Sequence, residues 1–233
     1  MPYTSLLMDL DETLLDFSHD IREAFFSMCR KQQIPADAEL FDSYNAINHS
    51  WWDKFEKGLC TKPELFLGRF EEWTGKHHLQ ADPAVLAEAI FPELSEQARL
   101  LPGAYELTQA LAKRYDLYFA TNGNAWSQHS RIEISGLNRL CKGVFVSEDA
   151  GAAKPDPRYF TYVFEHMAVP KDRCLLIGDS LTSDIAGACG YGLDCIWYNP
   201  RRMPNHTAFT PTYEVSDYAG IAALLLPGTD SNT

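Results

Sequence analysis

The stretch LLMDLDET, residues 6–13, decides the fold, because a buried strand gives way there to two carboxylates. Leu6 to Met8 is a short apolar run, and Asp9 and Asp11 follow it two residues apart. Alternate residues of an extended chain share a face, so these carboxylates can converge on one ligand or metal ion beyond the strand. Taken alone, such a pair is more often a strand exit with solvated acids, and the rest of the chain decides between the two interpretations.

Three later apolar runs resemble the first, and each also ends in small or polar residues. They cover Leu117 to Ala120, Val144 to Val146 and Cys174 to Ile177. A fifth strand is predicted at Cys195 to Tyr198, and stretches of helical periodicity separate the later runs. Strands that alternate with helices predict an α/β fold with a doubly wound parallel sheet. Such a sheet binds its ligand beyond the carboxyl ends of the strands.

The segment from about Ser18 to Glu96 interrupts this alternation with helical periodicity and little strand signal. We interpret it as a small all-helical domain of about four helices, inserted after the first strand. The predicted domains are an α/β core at residues 1–16 and 98–233 and a helical cap at residues 17–97. We expect residues 228–233 to be disordered.

Composition limits the class of protein and its partners. The chain has 233 residues, of which 45% are hydrophobic, enough for a full core. A formal net charge of −12 argues against binding nucleic acid. Without a secretory signal or an apolar run long enough for a bilayer, we expect a cytoplasmic protein that binds no membrane. The six cysteines include no CxxC pair and are interpreted as structural thiols.

Polar groups suited to phosphate follow the second and third strands. The sequence Thr121-Asn122-Gly123-Asn124 places a hydroxyl and backbone amides at the start of a helix, where they can hold phosphate oxygens or cap the helix. Farther on, Lys154 precedes Pro155, which stiffens the chain. Its ammonium can neutralise a phosphate and keep the Asp9 carboxylate ionised, although most lysines are solvated at the surface.

Two further carboxylates follow the fourth strand. Gly178 allows a tight exit, Asp179 stands at the strand tip, and Asp184 lies about one helical turn farther on. With Asp9 they can form a magnesium site, because Mg²⁺ prefers oxygen ligands. Capping of a helix is the rival explanation for Asp179.

Each of these motifs has an ordinary structural explanation, but the four occur in order at the ends of four predicted strands. Together they resemble the four motifs of the haloacid dehalogenase superfamily, and the resemblance spans nearly the whole chain. The matching residues are Asp9, Asp11 and Thr13, then Thr121 and Asn122, then Lys154, and finally Asp179 and Asp184.

The resemblance implies a phosphatase that works through an aspartyl-phosphate. Asp9 would be the nucleophile, and Asp11 would act as general acid and then general base. The phosphoryl oxygens would be held by Thr121, the Asn122 backbone amide and Lys154.

The resemblance also implies Mg²⁺ as cofactor. Its ligands would be Asp9, the backbone carbonyl of Asp11, and Asp179. Asp184 would act behind them or through water, and Thr13 would orient Asp11.

An insertion at this point of the chain is, in this superfamily, a cap that closes over the site and selects the leaving group. Residues 44–58 and 68–73 resemble the cap of the family's pyrimidine nucleoside 5′-monophosphate phosphatases, and Glu12, in place of the commoner glycine, fits the same group. A nucleobase needs an aromatic face and edge donors or acceptors. The residues that can supply them are Asn48, Trp52, Phe55 and Arg69. Each aromatic side chain can instead belong to the bundle core.

The predicted function is therefore hydrolysis of small phosphomonoesters, and a pyrimidine 5′-nucleotidase is the favoured form. The alternatives are a phosphatase or mutase acting on sugar phosphates or phosphoglycolate, and a non-catalytic protein that binds a phosphorylated metabolite. Asp11 and Asp179 argue against a dehalogenase, which lacks the second aspartate of the first motif and needs no metal. A monomer and a homodimer both fit the sequence.

Overall fold

A computed structural model describes residues 2–226 of the chain. The disorder expected for residues 228–233 falls outside the described residues. Two compact units are present: residues up to Asp16 and from Arg99 onward form an α/β unit, and Phe17–Ala98 form a helical unit.

The α/β unit is built on a parallel sheet. Within residues 2–226 its strands are β1 (Ser5–Met8), β2 (Asp116–Thr121), β3 (Gly143–Val146), β4 (Cys174–Gly178), β5 (Asp194–Tyr198) and β6 (Tyr213–Val215). Their order across the sheet is β3-β2-β1-β4-β5-β6, and every neighbouring pair is parallel. The predicted α/β fold with its parallel sheet is confirmed, and β6 is an addition to the five predicted strands.

The register of the central strands determines which residues meet at the edge of the sheet. Met8 at the end of β1 pairs with Phe119 of β2 on one side and with Ile177 of β4 on the other. The carboxyl ends of these three strands therefore lie side by side. The chain immediately after each of them can contribute to one site.

Helices cover both faces of the sheet. They are α5 (Ala104–Ala112), α6 (Ala125–Ile134), α7 (Ser147–Ala150), α8 (Pro157–Met167), α9 (Ala186–Tyr191) and α10 (Tyr218–Leu225), numbered after the four helices of the other unit. Along β1, Leu6 and Met8 belong to one apolar cluster and Leu7 to another. The sheet is thus buried on both faces, which is why its strands are continuous apolar runs.

The helical unit contains α1 (Phe17–Lys31), α2 (Ala38–Glu56), α3 (Lys62–Lys76) and α4 (Pro83–Ser95). Polar caps begin three of them: Asp37, Thr61 and Asp82 each accept a hydrogen bond from a backbone amide of the first turn. An apolar core of its own joins all four helices. No helix within the described residues is long and apolar enough to cross a bilayer.

Truncation of Trp73 tests the core of the helical unit. The indole is fully buried, packs against Phe25 with ring centroids 5.2 Å apart, and donates from Nε1 to the Leu40 carbonyl at 3.2 Å. We expect Trp73→Ala to lower the free energy of unfolding by about 3–5 kcal/mol, measured by urea denaturation. Trp126→Ala is the matched control, because Trp126 is 56% exposed and should change stability by less than about 0.5 kcal/mol. Equal losses in the two variants would contradict this assignment of the core.

Candidate active site

The carboxylates of the first and fourth motifs lie where adjacent strands end. Asp9 follows β1 directly, and its backbone amide donates to the Ile177 carbonyl of β4 at 2.9 Å. Asp179 follows β4. The helix-capping alternative for Asp179 is not what the structure shows, because Ser180 caps the turn that follows by accepting from the Ser183 amide at 3.1 Å.

Lys154 connects the motifs through its ammonium group. Its Nζ donates to Asp9 Oδ1 at 2.6 Å, to Asp184 Oδ1 at 2.7 Å and to the Ala120 carbonyl at 2.7 Å. These bonds use all three hydrogens of the ammonium group, and the lysine is only 2% exposed. It is therefore a fixed internal charge rather than a solvated surface lysine.

Electrostatics at the site are dominated by buried negative charge. Burial, and secondarily the nearby Asp184, raises the pKa of Asp9 to about 7 even though Lys154 opposes the shift. Burial and the charge of Asp9 likewise raise the pKa of Asp179 well above its ordinary value. The pKa of Lys154 is also raised: burial disfavours its charged form, but attraction to Asp184 and Asp9 prevails and keeps the ammonium charged.

The donor set suits a hard divalent cation. Asp9, Asp179 and Asp184 each offer a carboxylate oxygen, and these atoms lie within 4.8 Å of one another. When all three carboxylates are ionised, the single ammonium of Lys154 leaves two negative charges for a cation to balance, and a bound cation would favour those ionised forms. Both oxygens of Asp184 are already engaged, one by Lys154 and the other by the Ser180 amide at 3.1 Å. Asp9 and Asp179 are consequently the freer ligands for Mg²⁺.

The second motif supplies a hydroxyl that is able to donate and also holds the backbone of Lys154. Thr121 Oγ1 accepts from Gly123 N at 3.1 Å and from Gln128 Nε2 at 2.8 Å, which fills its acceptor sites and leaves its O–H to donate. The Asn122 side chain accepts from the Lys154 amide at 2.9 Å and donates to the Lys154 carbonyl at 2.8 Å. This positioning role of the Asn122 side chain adds to the backbone role predicted from the sequence.

Asp11 is held by two side chains that the sequence analysis did not identify. Gln128 Nε2 donates to Asp11 Oδ2, and Arg131 Nη1 donates to Asp11 Oδ1, both at 2.6 Å. Arg131 also donates to Gln128 Oε1 at 3.1 Å. In the sequence, their i, i+3 spacing indicates only that the two residues share a helix face, not what they contact. The structure packs Gln128 so closely that a Cβ added at Gly123 would lie 2.3 Å from its Nε2.

The contact of Thr13 differs from the one expected. Its hydroxyl donates to Asp179 Oδ1 at 3.3 Å, while Gln128 and Arg131 take the role of orienting Asp11. Thr13 lies in the tight turn after Asp11, where Leu14 and Leu15 amides both bond to the Leu10 carbonyl. That turn directs the hydroxyl toward β4 rather than back along its own strand.

Glu12 occupies a backbone position that favours glycine. Its φ of 61° lies in the left-handed region, which explains why glycine is the commoner residue there. Arg201 Nη2 lies 3.5 Å from the Glu12 carboxylate. The loop that carries Arg201 therefore contacts the motif rather than remaining apart from it.

The four residues named for base recognition lie in the helical unit and form two contacts. Arg69 Nη1 donates to Asn48 Oδ1 at 2.7 Å, and both residues are buried. Trp52 and Phe55, three residues apart on α2, pack edge to face with centroids 5.8 Å apart. Both rings are partly exposed, and neither belongs to the apolar core of that unit.

Comparison with known proteins agrees with the strand-end motifs. A family model described as haloacid dehalogenase-like hydrolase matches residues 3–190. The chain belongs to this family. It is 38% identical to the pyrimidine 5′-nucleotidase PynA of Streptococcus pneumoniae, over 94% of this chain and 93% of that protein. It is 32% identical to the pyrimidine 5′-nucleotidase YjjG of Escherichia coli, over 97% of this chain and 99% of that protein.

A solved structure of the same family is also similar. The HAD-hydrolase YfnB of Bacillus subtilis, solved bound to magnesium, matches with a TM-score of 0.91 and 38% identity. The match covers 96% of this chain and 98% of that one. The chain described here is thus a haloacid dehalogenase-like hydrolase along nearly its whole length.

A methyl group at position 178 tests the packing that holds Asp184. A Cβ on Gly178 would lie 2.3 Å from Asp184 Oδ2, so Gly178→Ala must displace the carboxylate that holds Lys154. We expect a loss of about 1–3 kcal/mol in the free energy of unfolding, measured by urea denaturation, together with a loss of hydrolase activity.

Gly190→Ala is the matched control for this substitution. An added Cβ there meets no atom within 4 Å, and the residue lies inside α9. It should keep its activity and gain up to about 1 kcal/mol of stability, because alanine favours a helix over glycine. If Gly178→Ala were as active and stable as this control, the close packing around Asp184 would be disproved.

Proposed function

We propose that the protein is a Mg²⁺-dependent phosphatase of nucleoside 5′-monophosphates with a preference for pyrimidine bases, acting in the cytoplasm. The observation that carries the chemistry is the buried contact between Lys154 and Asp9 at 2.6 Å, beside the Asp179 carboxylate. The substrate class is supported by PynA and YjjG, two relatives of nearly the same length that are named pyrimidine 5′-nucleotidases.

The reaction proceeds in two displacements at phosphorus. A carboxylate oxygen of Asp9 forms a bond to phosphorus while the bond to the ester oxygen breaks, and Asp11 gives its proton to that leaving oxygen. Water then attacks the aspartyl-phosphate, Asp11 takes a proton from it, and the bond between Asp9 and phosphorus breaks. The free Asp9 carboxylate and the protonated Asp11 are restored, and inorganic phosphate is released.

The residues around Asp9 provide positive charge and hydrogen bonds for the phosphoryl group. Lys154 offsets negative charge as the two displacements proceed, and the Thr121 hydroxyl has its proton free for a phosphoryl oxygen. Mg²⁺, held by Asp9, Asp179 and the Asp11 carbonyl, would supply further charge neutralisation to the phosphoryl oxygens. Asp184 supports this set by holding Lys154.

Gln128 and Arg131 act as positioning residues for Asp11. They bind both of its carboxylate oxygens, so the side chain has a defined direction before substrate arrives. Gln128 also contacts the Thr121 hydroxyl, which joins the phosphate-holding group to the proton-transferring one. Fixed geometry of this kind is what general acid catalysis requires.

Removal of the nucleophile tests the proposal directly. We expect wild-type protein to release phosphate from UMP and p-nitrophenyl phosphate only with Mg²⁺, and Asp9→Asn to release none above background. Asp156→Asn is the control, since Asp156 caps α8 and asparagine caps helices equally well.

The substrate panel for this test also includes AMP, sugar phosphates and phosphoglycolate. Faster hydrolysis of a sugar phosphate or of phosphoglycolate than of UMP would favour that alternative substrate class. Binding of these compounds without turnover at saturating Mg²⁺ would instead favour the non-catalytic alternative. Activity without a divalent ion, or an active Asp9→Asn variant, would contradict the proposal.

Loss of the Asp11 contacts should affect substrates according to their leaving groups. We expect Arg131→Met to slow the first displacement on UMP by about 10–100-fold in single-turnover experiments. The effect on p-nitrophenyl phosphate should be much smaller, because p-nitrophenolate leaves without protonation. Arg99→Met, at an exposed arginine beside Asp16, is the control. Equal slowing of both substrates would show that Arg131 only supports the fold.

A further inference from the structure

One peptide group links the fourth motif to the adjacent strand β5. It joins Asp179 to Ser180, just beyond the end of β4. Its carbonyl oxygen, that of Asp179, accepts from the indole Nε1 of Trp197 at 2.9 Å. Its N–H, that of Ser180, donates to Asp184 Oδ2 at 3.1 Å. The peptide group is therefore held at both ends by side chains.

The hydrogen bonds continue from Asp184 to the proposed nucleophile. Asp184 Oδ1 accepts from Lys154 Nζ at 2.7 Å, and the same ammonium donates to Asp9 Oδ1 at 2.6 Å. Asp184 and Lys154 are both buried, so water hardly competes for these bonds. We call the four hydrogen bonds that lead from the Trp197 indole to Asp9 the Trp197 chain.

The indole of Trp197 is a rigid starting point for this chain. It is buried, and it belongs to the apolar cluster that contains Leu7 and covers one face of the sheet. Because a trans peptide group is planar, a bond that fixes its carbonyl end also fixes the direction of its N–H. Buried hydrogen bonds in series also polarise one another. The loss of the indole donor should therefore weaken the bond that the Ser180 amide makes.

We infer that Trp197 is a positioning residue for the nucleophile Asp9, acting through the Trp197 chain and not by direct contact. The inference rests on the proposed function, which makes Asp9 the nucleophile. The indole directs the Ser180 amide at Asp184, and this bond keeps the other oxygen of that carboxylate on Lys154. The ammonium of Lys154 in turn holds Asp9. Without the indole donor, the nucleophile should be less well placed for in-line attack on phosphorus.

A tryptophan analogue with sulfur in place of the indole N–H separates positioning from packing. Trp197→3-benzothienylalanine keeps the shape of the ring system and removes the donor. The matched control is the same replacement of Trp73, a buried residue of the helical unit whose indole also donates to a backbone carbonyl, that of Leu40 at 3.2 Å. Each variant loses one hydrogen bond, so both should unfold at a temperature about 2–4 °C lower than the wild type does.

The amide of Ser180 tests the Trp197 chain without substrate or metal. In proton–nitrogen correlation NMR spectra of the full-length protein, the Trp197 variant should show the Ser180 amide proton shifted upfield. Its exchange with solvent should be about fivefold faster, the factor that corresponds to a hydrogen bond of about 1 kcal/mol. The Trp73 variant should leave both the shift and the exchange rate of this amide as in the wild type.

Single-turnover kinetics with p-nitrophenyl phosphate and saturating Mg²⁺ test the effect on the nucleophile. In the Trp197 variant, the rate constant of the first displacement should fall about 10-fold, because a small displacement of the reacting atoms is costly. The half-saturating substrate concentration should stay within about threefold of wild type, since position is lost and binding is not. The Trp73 variant should resemble the wild type in both.

Three results would overturn the inference. An unchanged Ser180 amide would show that the indole only packs, whether or not the protein is active. A shifted amide with an unchanged first displacement would show that Trp197 holds the peptide group for folding alone. Equal slowing in the Trp197 and Trp73 variants would show a general loss of stability.

Failure of the proposed function would look different. A wild-type protein that releases no phosphate from p-nitrophenyl phosphate with Mg²⁺ would overturn that function, and with it the role of Trp197 toward a nucleophile. The Ser180 amide would respond to the Trp197 replacement even then, because that measurement depends only on the hydrogen bonds of the chain.

Discussion

One buried ammonium group holds the candidate active site together. Lys154 uses its three hydrogens on Asp9, Asp184 and a backbone carbonyl, in surroundings that exclude nearly all solvent. Breaking a buried ion pair by removing one partner typically costs about 3–5 kcal/mol, because the other charge remains unpaired. Asp9, Lys154 and Asp184 must therefore be positioned together, and the register of the sheet does this.

The sheet positions these groups by its register and by one asparagine. β1, β2 and β4 end side by side, so the residues that follow them emerge at one edge. Lys154 comes from a loop rather than a strand end, and the Asn122 side chain binds both its amide and its carbonyl. The chain after β2 consequently supplies the Thr121 hydroxyl and also holds the backbone of Lys154.

Much of this arrangement could be predicted from the sequence, because parallel strands align their carboxyl ends and each end carries a motif. The contacts of individual side chains could not. Gln128 and Arg131 reach Asp11 across 117 and 120 residues of chain, and spacing within a motif contains no information about such a pairing. The family resemblance implies that Thr13 orients Asp11, whereas a tight turn directs its hydroxyl to Asp179. β6 escaped detection because it is three residues long and only half buried.

The central claim is that Asp9 carries the phosphoryl group while Asp11 moves protons. It is tested most directly by acid-quenching the enzyme during turnover of UMP and locating any phosphoryl group by peptide mass spectrometry. The account predicts a phosphorylated Asp9 in wild-type protein, the same adduct in larger amount in a variant with a weakened Asp11, and none in Asp9→Asn. A phosphoryl group on Asp11, or turnover with no phosphorylated aspartate in any variant, would contradict it.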